Sequence, residues 1–222
     1  MGTLYLVRHG QASFGSHDYD RLSELGERQC AALGAWMQRR GLRFEAVLRG
    51  SLRRHRQSLA ALSRALPDLP AAIEWPGLNE YDSEAIVRAV QTGELPPVTS
   101  AEGARQHFRL LREGLLRWAA GEVQPSGMPD WASFVAGVNG ALDLVRGRFS
   151  GDVLLISSGG PICTAVGQVL SAPPATVVEL NLRLRNSALT EFVFTPKRHA
   201  LLAFNSLPHL DTPERAAWVT YA

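Results

Sequence analysis

Residues 153–162, VLLISSGGPI, constrain the fold of this chain more than any other stretch. Val153, Leu154, Leu155 and Ile156 form an unbroken apolar run, as expected of a strand covered on both faces. Ser158, Gly159 and Gly160 make a turn, and Pro161 suits the first position of a following helix. Such a helix start offers unpaired backbone N–H groups to an anion. A doubly covered strand followed by a helix requires a layered fold, and the rest of the chain supplies the layers.

Strands are expected at 3–10, 44–50, 71–75, 187–194 and 200–204, with helices at 22–41 and 51–66 between the early ones. In the first helix Ser23 can cap the N-terminus, Glu24 and Glu27 sit early, Arg39 and Arg40 sit late, and Gly41 can end it. Phe108, Leu111, Leu115 and Trp118 recur at helical spacing, as do Trp131, Phe134, Val138, Leu142 and Val145. A further helix starts at 161. Strands alternating with helices predict an α/β fold with a mostly parallel twisted sheet and helices on both faces. Residues 81–130 differ in character, being loop and helix with Pro96–Pro97, and read as a helical insert or cap in a single domain spanning 1–222.

Length and composition narrow the function. The chain has 222 residues and a net charge of +2, too mild a balance to argue for nucleic acid, which calls for a clustered basic face. No apolar stretch approaches the ~18 residues of a membrane span. The N-terminus enters a strand directly, with no signal-peptide pattern, so a cytoplasmic protein is expected. Cys30 and Cys163 lack metal or redox spacing and read as buried free thiols. No metal or cofactor is expected.

Ligands of parallel sheets bind outside the carboxyl ends of the strands. There the sequence places Arg8 and His9 after the first strand, Arg54 in the helix after the second, Glu80 after the third, and Ser158 after the run at 153–156. Paired guanidiniums match phosphate oxygens. A neutral imidazole beside them can attack phosphorus, and a carboxyl group can protonate the leaving oxygen. Backbone N–H groups at Gly159 and Gly160 are candidate anion donors.

These residues carry a resemblance to a known family. LVRHGQA (6–12) resembles the signature of the histidine phosphatase superfamily, the phosphoglycerate mutase-like proteins. LSELGERQ, GSLRRHRQS, LNEYD and RNSALTEF follow in the order of the family's later segments. The resemblance implies that His9 is the nucleophile forming a phosphohistidine, that Arg8 and Arg54 bind phosphate, and that Glu80 is the acid. It implies a metal-independent phosphomonoesterase acting on a small phosphorylated molecule.

The chain departs from the family pattern at several positions. Ser158 stands where a second histidine is usual, Gly50–Ser51 replaces Ser-Pro, and His55 replaces Ala. Gly15 falls where many members carry a phosphate-binding Asn. Ser158 with Gly159 is expected to line the phosphate site, and the loss of an imidazole predicts a weakened one. Ser158→His should raise turnover if the site merely lacks a donor. His209 is a candidate replacement, while His55 reads as helix-face or rim packing. Two alternatives stand beside the phosphatase: a protein that only binds phosphorylated ligands, and a mutase, which the Arg-poor stretch 81–100 disfavours. Tyr81, Asp82 and Trp131 are candidate contacts to the alcohol portion of a substrate.

Overall fold

The computed structural model describes residues 1–13, 20–91, 93 and 100–221. Its sheet is built from β1 (Gly2–Arg8), β2 (Ala46–Arg49), β3 (Ala72–Glu74), β4 (Val153–Ser157), β5 (Leu189–Thr195) and β6 (Arg198–Ser206), in the order β3-β2-β4-β1-β5-β6. The pairs β3–β2, β2–β4 and β4–β1 are parallel, whereas β5 runs antiparallel to both β1 and β6. The mostly parallel sheet expected from the sequence is thus present, closed on one side by an antiparallel hairpin.

Alternation along the central strands explains why they are apolar throughout. Leu4, Leu6, Leu48, Val153 and Leu155 pack with residues of α5 (Trp131–Arg148) and α6 (Gly159–Leu170) on one face. Tyr5, Val7, Val47, Leu154 and Ile156 pack with Leu33 and Met37 of α1 (Glu24–Arg39) and Leu62 of α2 (Arg53–Ser63) on the other. Successive side chains point to opposite faces, so a strand covered twice has no wet position. All of β4 is buried. Burying each large aliphatic side chain there contributes roughly 1.5–3 kcal/mol.

Between β3 and α5 lie α3 (Ser83–Val90) and α4 (Ala101–Ala119), which enclose a separate apolar cluster of Ile86, Val87, Leu111, Leu115 and Trp118 with Phe134 and Val178. Phe108, expected on the buried stripe, is instead exposed. The stripe is completed by Leu110, which is buried beside Leu111, so the apolar face is turned by part of a helical step. Pro96 and Pro97 lie outside the described residues.

Two boundaries differ from expectation for reasons of backbone chemistry. α6 begins at Gly159 with Ser158 as its N-cap, so Pro161 is its third residue rather than its first. Proline is tolerated there because the N–H it lacks belongs to the unpaired first turn. α7 (Pro174–Asn181) was not foreseen; it opens on Pro174, whose fixed φ suits a first helical position. As expected, Ser23 caps α1 by accepting from Gly26 N–H, and Gly41 follows it at a φ of +67°. No helix among the described residues is long and apolar enough to cross a membrane. Cys30 and Cys163 are buried free thiols, and burial pushes Cys30 up to about 11.

Candidate active site

Register brings the candidate residues to one edge. Arg8 of β1 pairs with Ser157 of β4, so the next residues, His9 and Ser158, emerge side by side from the two central strands. The His9 N–H donates to the Ser157 carbonyl and the His9 carbonyl accepts from Ser187 N–H, which fixes the His9 backbone from both sides. Gly10 follows at once because its backbone crosses Gly26 of α1, where an added Cβ would lie 2.3 Å from the Gly26 carbonyl oxygen.

The His9 ring is buried, and its Nδ1 lies 2.7 Å from the Gly10 carbonyl oxygen. A carbonyl can only accept, so Nδ1 carries the proton and Nε2 keeps its lone pair. Burial, reinforced by the positive charges of Arg54 and Arg8, holds the imidazole well below its ordinary range. His9 is therefore neutral at neutral pH, with its unprotonated nitrogen turned away from the backbone: the state a nucleophile requires.

Arg54 is buried at the start of α2. Its Nη1 pairs with Asp20 Oδ1 at 2.9 Å, while the two carboxylate oxygens also accept from the backbone N–H groups of Arg53 and Arg54. Leu52 caps α2 without a side-chain bond, so Asp20 does that work from a distant loop. Asp20 was missed from sequence, because a cap supplied across 33 residues leaves no local pattern. Arg8 is also buried, and its Nη1 donates to the carbonyls of Leu184 and Tyr221. Both guanidiniums act electrostatically on His9 and on Glu80, so the predicted cluster does assemble.

Glu80 is half-buried beyond β3, and both its oxygens lie 3.1 Å from Gly160 N. Desolvation raises its carboxyl above the usual range, with the Gly160 N–H, Arg54 and Arg8 partly offsetting this. A carboxyl group that keeps its proton to higher pH is suited to act as an acid. The Gly160 N–H is thus engaged by Glu80, not offered to an anion as the sequence suggested. An alanine Cβ at 160 would stand 2.2 Å from Glu80 Oε1 and 2.7 Å from the Tyr81 ring. Gly160→Ala is therefore expected to lower kcat on the order of 10²-fold by displacing the carboxyl group. Steady-state rates within twofold of the native chain would show that Glu80 is not held in this way.

Gly159 opens α6 against Asn181, whose Oδ1 would be 2.3 Å from an added Cβ. Ser158 is fully buried and makes no cap bond to its own helix; its hydroxyl meets His55 Nε2 at 2.7 Å. His55 is likewise fully buried, so it is not the helix-face or rim residue expected from its position in a run of arginines. Its ring centroid lies 5.9 Å from that of His9. The signal in the sequence was the substitution at 55 itself, which is meaningful only beside the substitution at 158.

The remaining candidates make packing, capping or buried hydrogen-bond contacts, and Tyr81 and Asp82 also line one cavity with Glu80 and Phe134. His209 is buried with Nε2 2.9 Å from Ser187 Oγ, one residue layer behind His9, and does not replace the missing imidazole. Asp82 caps α3 by accepting from Glu84 and Ala85 N–H. Trp131 packs edge-on against Trp118 at 5.0 Å. The Tyr81 ring meets Trp118 and Phe134 edge-on, and its hydroxyl accepts from Asn181. Gly15 lies outside the described residues. No cluster of three or more metal-ligating side chains occurs among the described residues.

Comparison with known proteins bears on the family and the fold. A family model described as "Histidine phosphatase superfamily (branch 1)" matches residues 4–207. No curated protein matches the chain. Among solved structures, phosphoserine phosphatase from Entamoeba histolytica in complex with 3-phosphoglyceric acid superposes with a TM-score of 0.66 at 20% identity, covering 95% of this chain and 100% of its own. Phosphoglycerate mutase from Bacillus anthracis gives 0.65 at 16% identity, covering 94% of each chain. Mycobacterial glucosyl-3-phosphoglycerate phosphatase gives 0.64 at 21% identity, covering 93% of this chain and 99% of its own.

Proposed function

The chain belongs to the histidine phosphatase superfamily, and from that premise we propose that it is a metal-independent phosphomonoesterase working through a phosphohistidine on His9. The observation that carries this reading is the His9 ring itself: neutral, with its proton fixed on Nδ1 by Gly10 and Nε2 left as the nucleophile between two guanidiniums. In the first step Nε2 attacks phosphorus while the bond to the leaving alcohol breaks and Glu80 gives that oxygen its proton. In the second, the Glu80 carboxylate takes a proton from water, whose oxygen attacks phosphorus and releases inorganic phosphate and neutral His9. Arg8 and Arg54 orient and neutralise the phosphoryl oxygens throughout. Arg54 carries Asp20 into the site, so an incoming phosphate competes with that carboxylate for the guanidinium.

The substrate class we assign is a small phosphorylated molecule, with no nucleic acid or membrane as partner. The fold shared with a phosphoserine phosphatase and a glucosyl-3-phosphoglycerate phosphatase is in keeping with it. The domain reading is one unit over 1–222 in which 81–130 caps the site, supported by the packing of Tyr81 beside Glu80 onto Trp118. The setting is the cytoplasm, in keeping with two buried free thiols.

Incubation with an aryl phosphate, with and without chelator, tests the assignment. Steady turnover that chelator leaves unchanged is expected. No turnover between about pH 5 and 8, with inorganic phosphate still raising the thermal midpoint, would instead make the protein a binder of phosphorylated ligands.

A further inference from the structure

Three departures from the family pattern, at positions 50, 55 and 158, meet in space, although 158 lies 103 residues from 55. His55 extends from α2 with its Nε2 on the Ser158 hydroxyl and its Nδ1 against Gly50. A Cβ on Gly50 would lie 2.2 Å from His55 Nδ1, so any larger residue there excludes the imidazole. Nδ1 faces the Gly50 backbone, whose carbonyl acts on it without forming a well-shaped hydrogen bond. Both side chains are fully buried, and the Ser158 hydroxyl is diverted from the cap bond its position would otherwise favour. A buried histidine with a poorly satisfied ring nitrogen costs stability, so its retention beside the nucleophile calls for a return.

We infer that His55 is a positioning residue which, through Ser158, supplies the phosphoryl site with the imidazole-backed donor that β4 no longer carries. The polarity follows from the surroundings. A proton on Nδ1 would meet the Gly50 carbonyl only outside hydrogen-bond geometry, whereas a proton on Nε2 is received by Ser158 Oγ at 2.7 Å. Nε2–H then donates to Ser158 Oγ. The serine's own proton is thereby freed to be donated to a phosphoryl oxygen at the neighbouring His9. Burial, with Arg54, Arg49 and Arg56 nearby, holds His55 down to about 3, so it acts as a neutral donor and adds no cation to the site. The expectation that Ser158→His raises turnover is reversed by this geometry. A histidine at 158 would need the space that His55 Nε2 already occupies.

The inference rests on His9 as the phosphoryl acceptor, and a double-mutant cycle tests it. His55→Ala is expected to lower kcat about 10–100-fold with a smaller change in KM. Ser158→His alone lowers kcat comparably, whereas His55→Ala combined with Ser158→His recovers to within about fivefold of the native chain. His55→Gln, which keeps an N–H at the end of its side chain, retains more activity than His55→Ala. Multiplicative losses in the double variant, or a His55→Ala rate equal to native, would overturn the inference. Orthovanadate dissociation constants are measured on the same proteins. If the native chain hydrolyses no phosphate ester, the phosphatase assignment falls, and the pair is judged on vanadate alone: weakening in each single variant and recovery in the double supports it, and no recovery overturns it.

Discussion

His9→Ala is expected to lower kcat/KM by about 10⁴–10⁶-fold, the loss typical of removing a covalent nucleophile. The size follows from how little can replace it. The neighbouring imidazole, His55, has Nε2 committed to Ser158 and Nδ1 turned to Gly50, so it presents no lone pair to phosphorus. The other buried histidine in this region, His209, is bonded to Ser187 behind the His9 backbone. What remains in the variant is attack by water with Glu80 as base, a different and slower route. Arg54 and its carboxylate partner Asp20 are untouched by the substitution, so inorganic phosphate should still protect the variant against thermal unfolding. Steady-state kinetics on the aryl phosphate measures the loss, and a residual rate above about a hundredth of native would contradict the assignment of His9.

Glu80→Gln gives the second large effect, and its size depends on the leaving group. For an alkyl phosphate, whose alkoxide needs a proton, kcat/KM should fall about 10²–10⁴-fold. For a nitrophenyl phosphate the first step is nearly spared, because a nitrophenolate departs without protonation. The second step still lacks its base, so the phosphoenzyme accumulates and a pre-steady-state burst appears. The pH profile carries the same signature. Glu80 is raised, so in the native chain its protonated fraction, and with it the rate on alkyl phosphates, falls as pH increases through that raised value. His9 is lowered, so protonation of the nucleophile limits the rate only well on the acid side. In Glu80→Gln the alkaline limb should disappear while the acid limb stays. Equal losses in kcat/KM on both leaving groups, with the alkaline limb intact, would remove Glu80 from the acid role.

The sheet and the strand-end cluster were legible in the sequence because both depend on short-range signals. The run at 153–156 and the nearly continuous burial of β1 and β2 are direct consequences of double coverage, and Arg8, His9, Arg54 and Glu80 sit where strand ends place them. Residues whose meaning comes from contacts across the chain were not legible. His55 lies among arginines that suggest a wet helix face, and only its bond to Ser158, 103 residues away, shows that it is interior. Asp20 is equally silent until α2 arrives without a cap of its own. Gly160 was misread as an anion donor because the sequence does not say that Glu80 reaches its N–H first. Phe108 lost its place on the buried stripe to Leu110, a shift that helical spacing alone does not resolve.

The central claim is that a phosphoryl group resides on His9 during turnover. Brief incubation of the native chain with a radiolabelled phosphate ester, followed by denaturation and peptide mapping, tests it most directly. The expected result is label that acid removes and base does not, carried on the peptide containing His9 and absent from His9→Ala. Label that survives acid and is lost in base, on the peptide containing Ser158, would contradict the claim and make the Ser158–His55 pair the nucleophile and its base; so would steady turnover with no label at all.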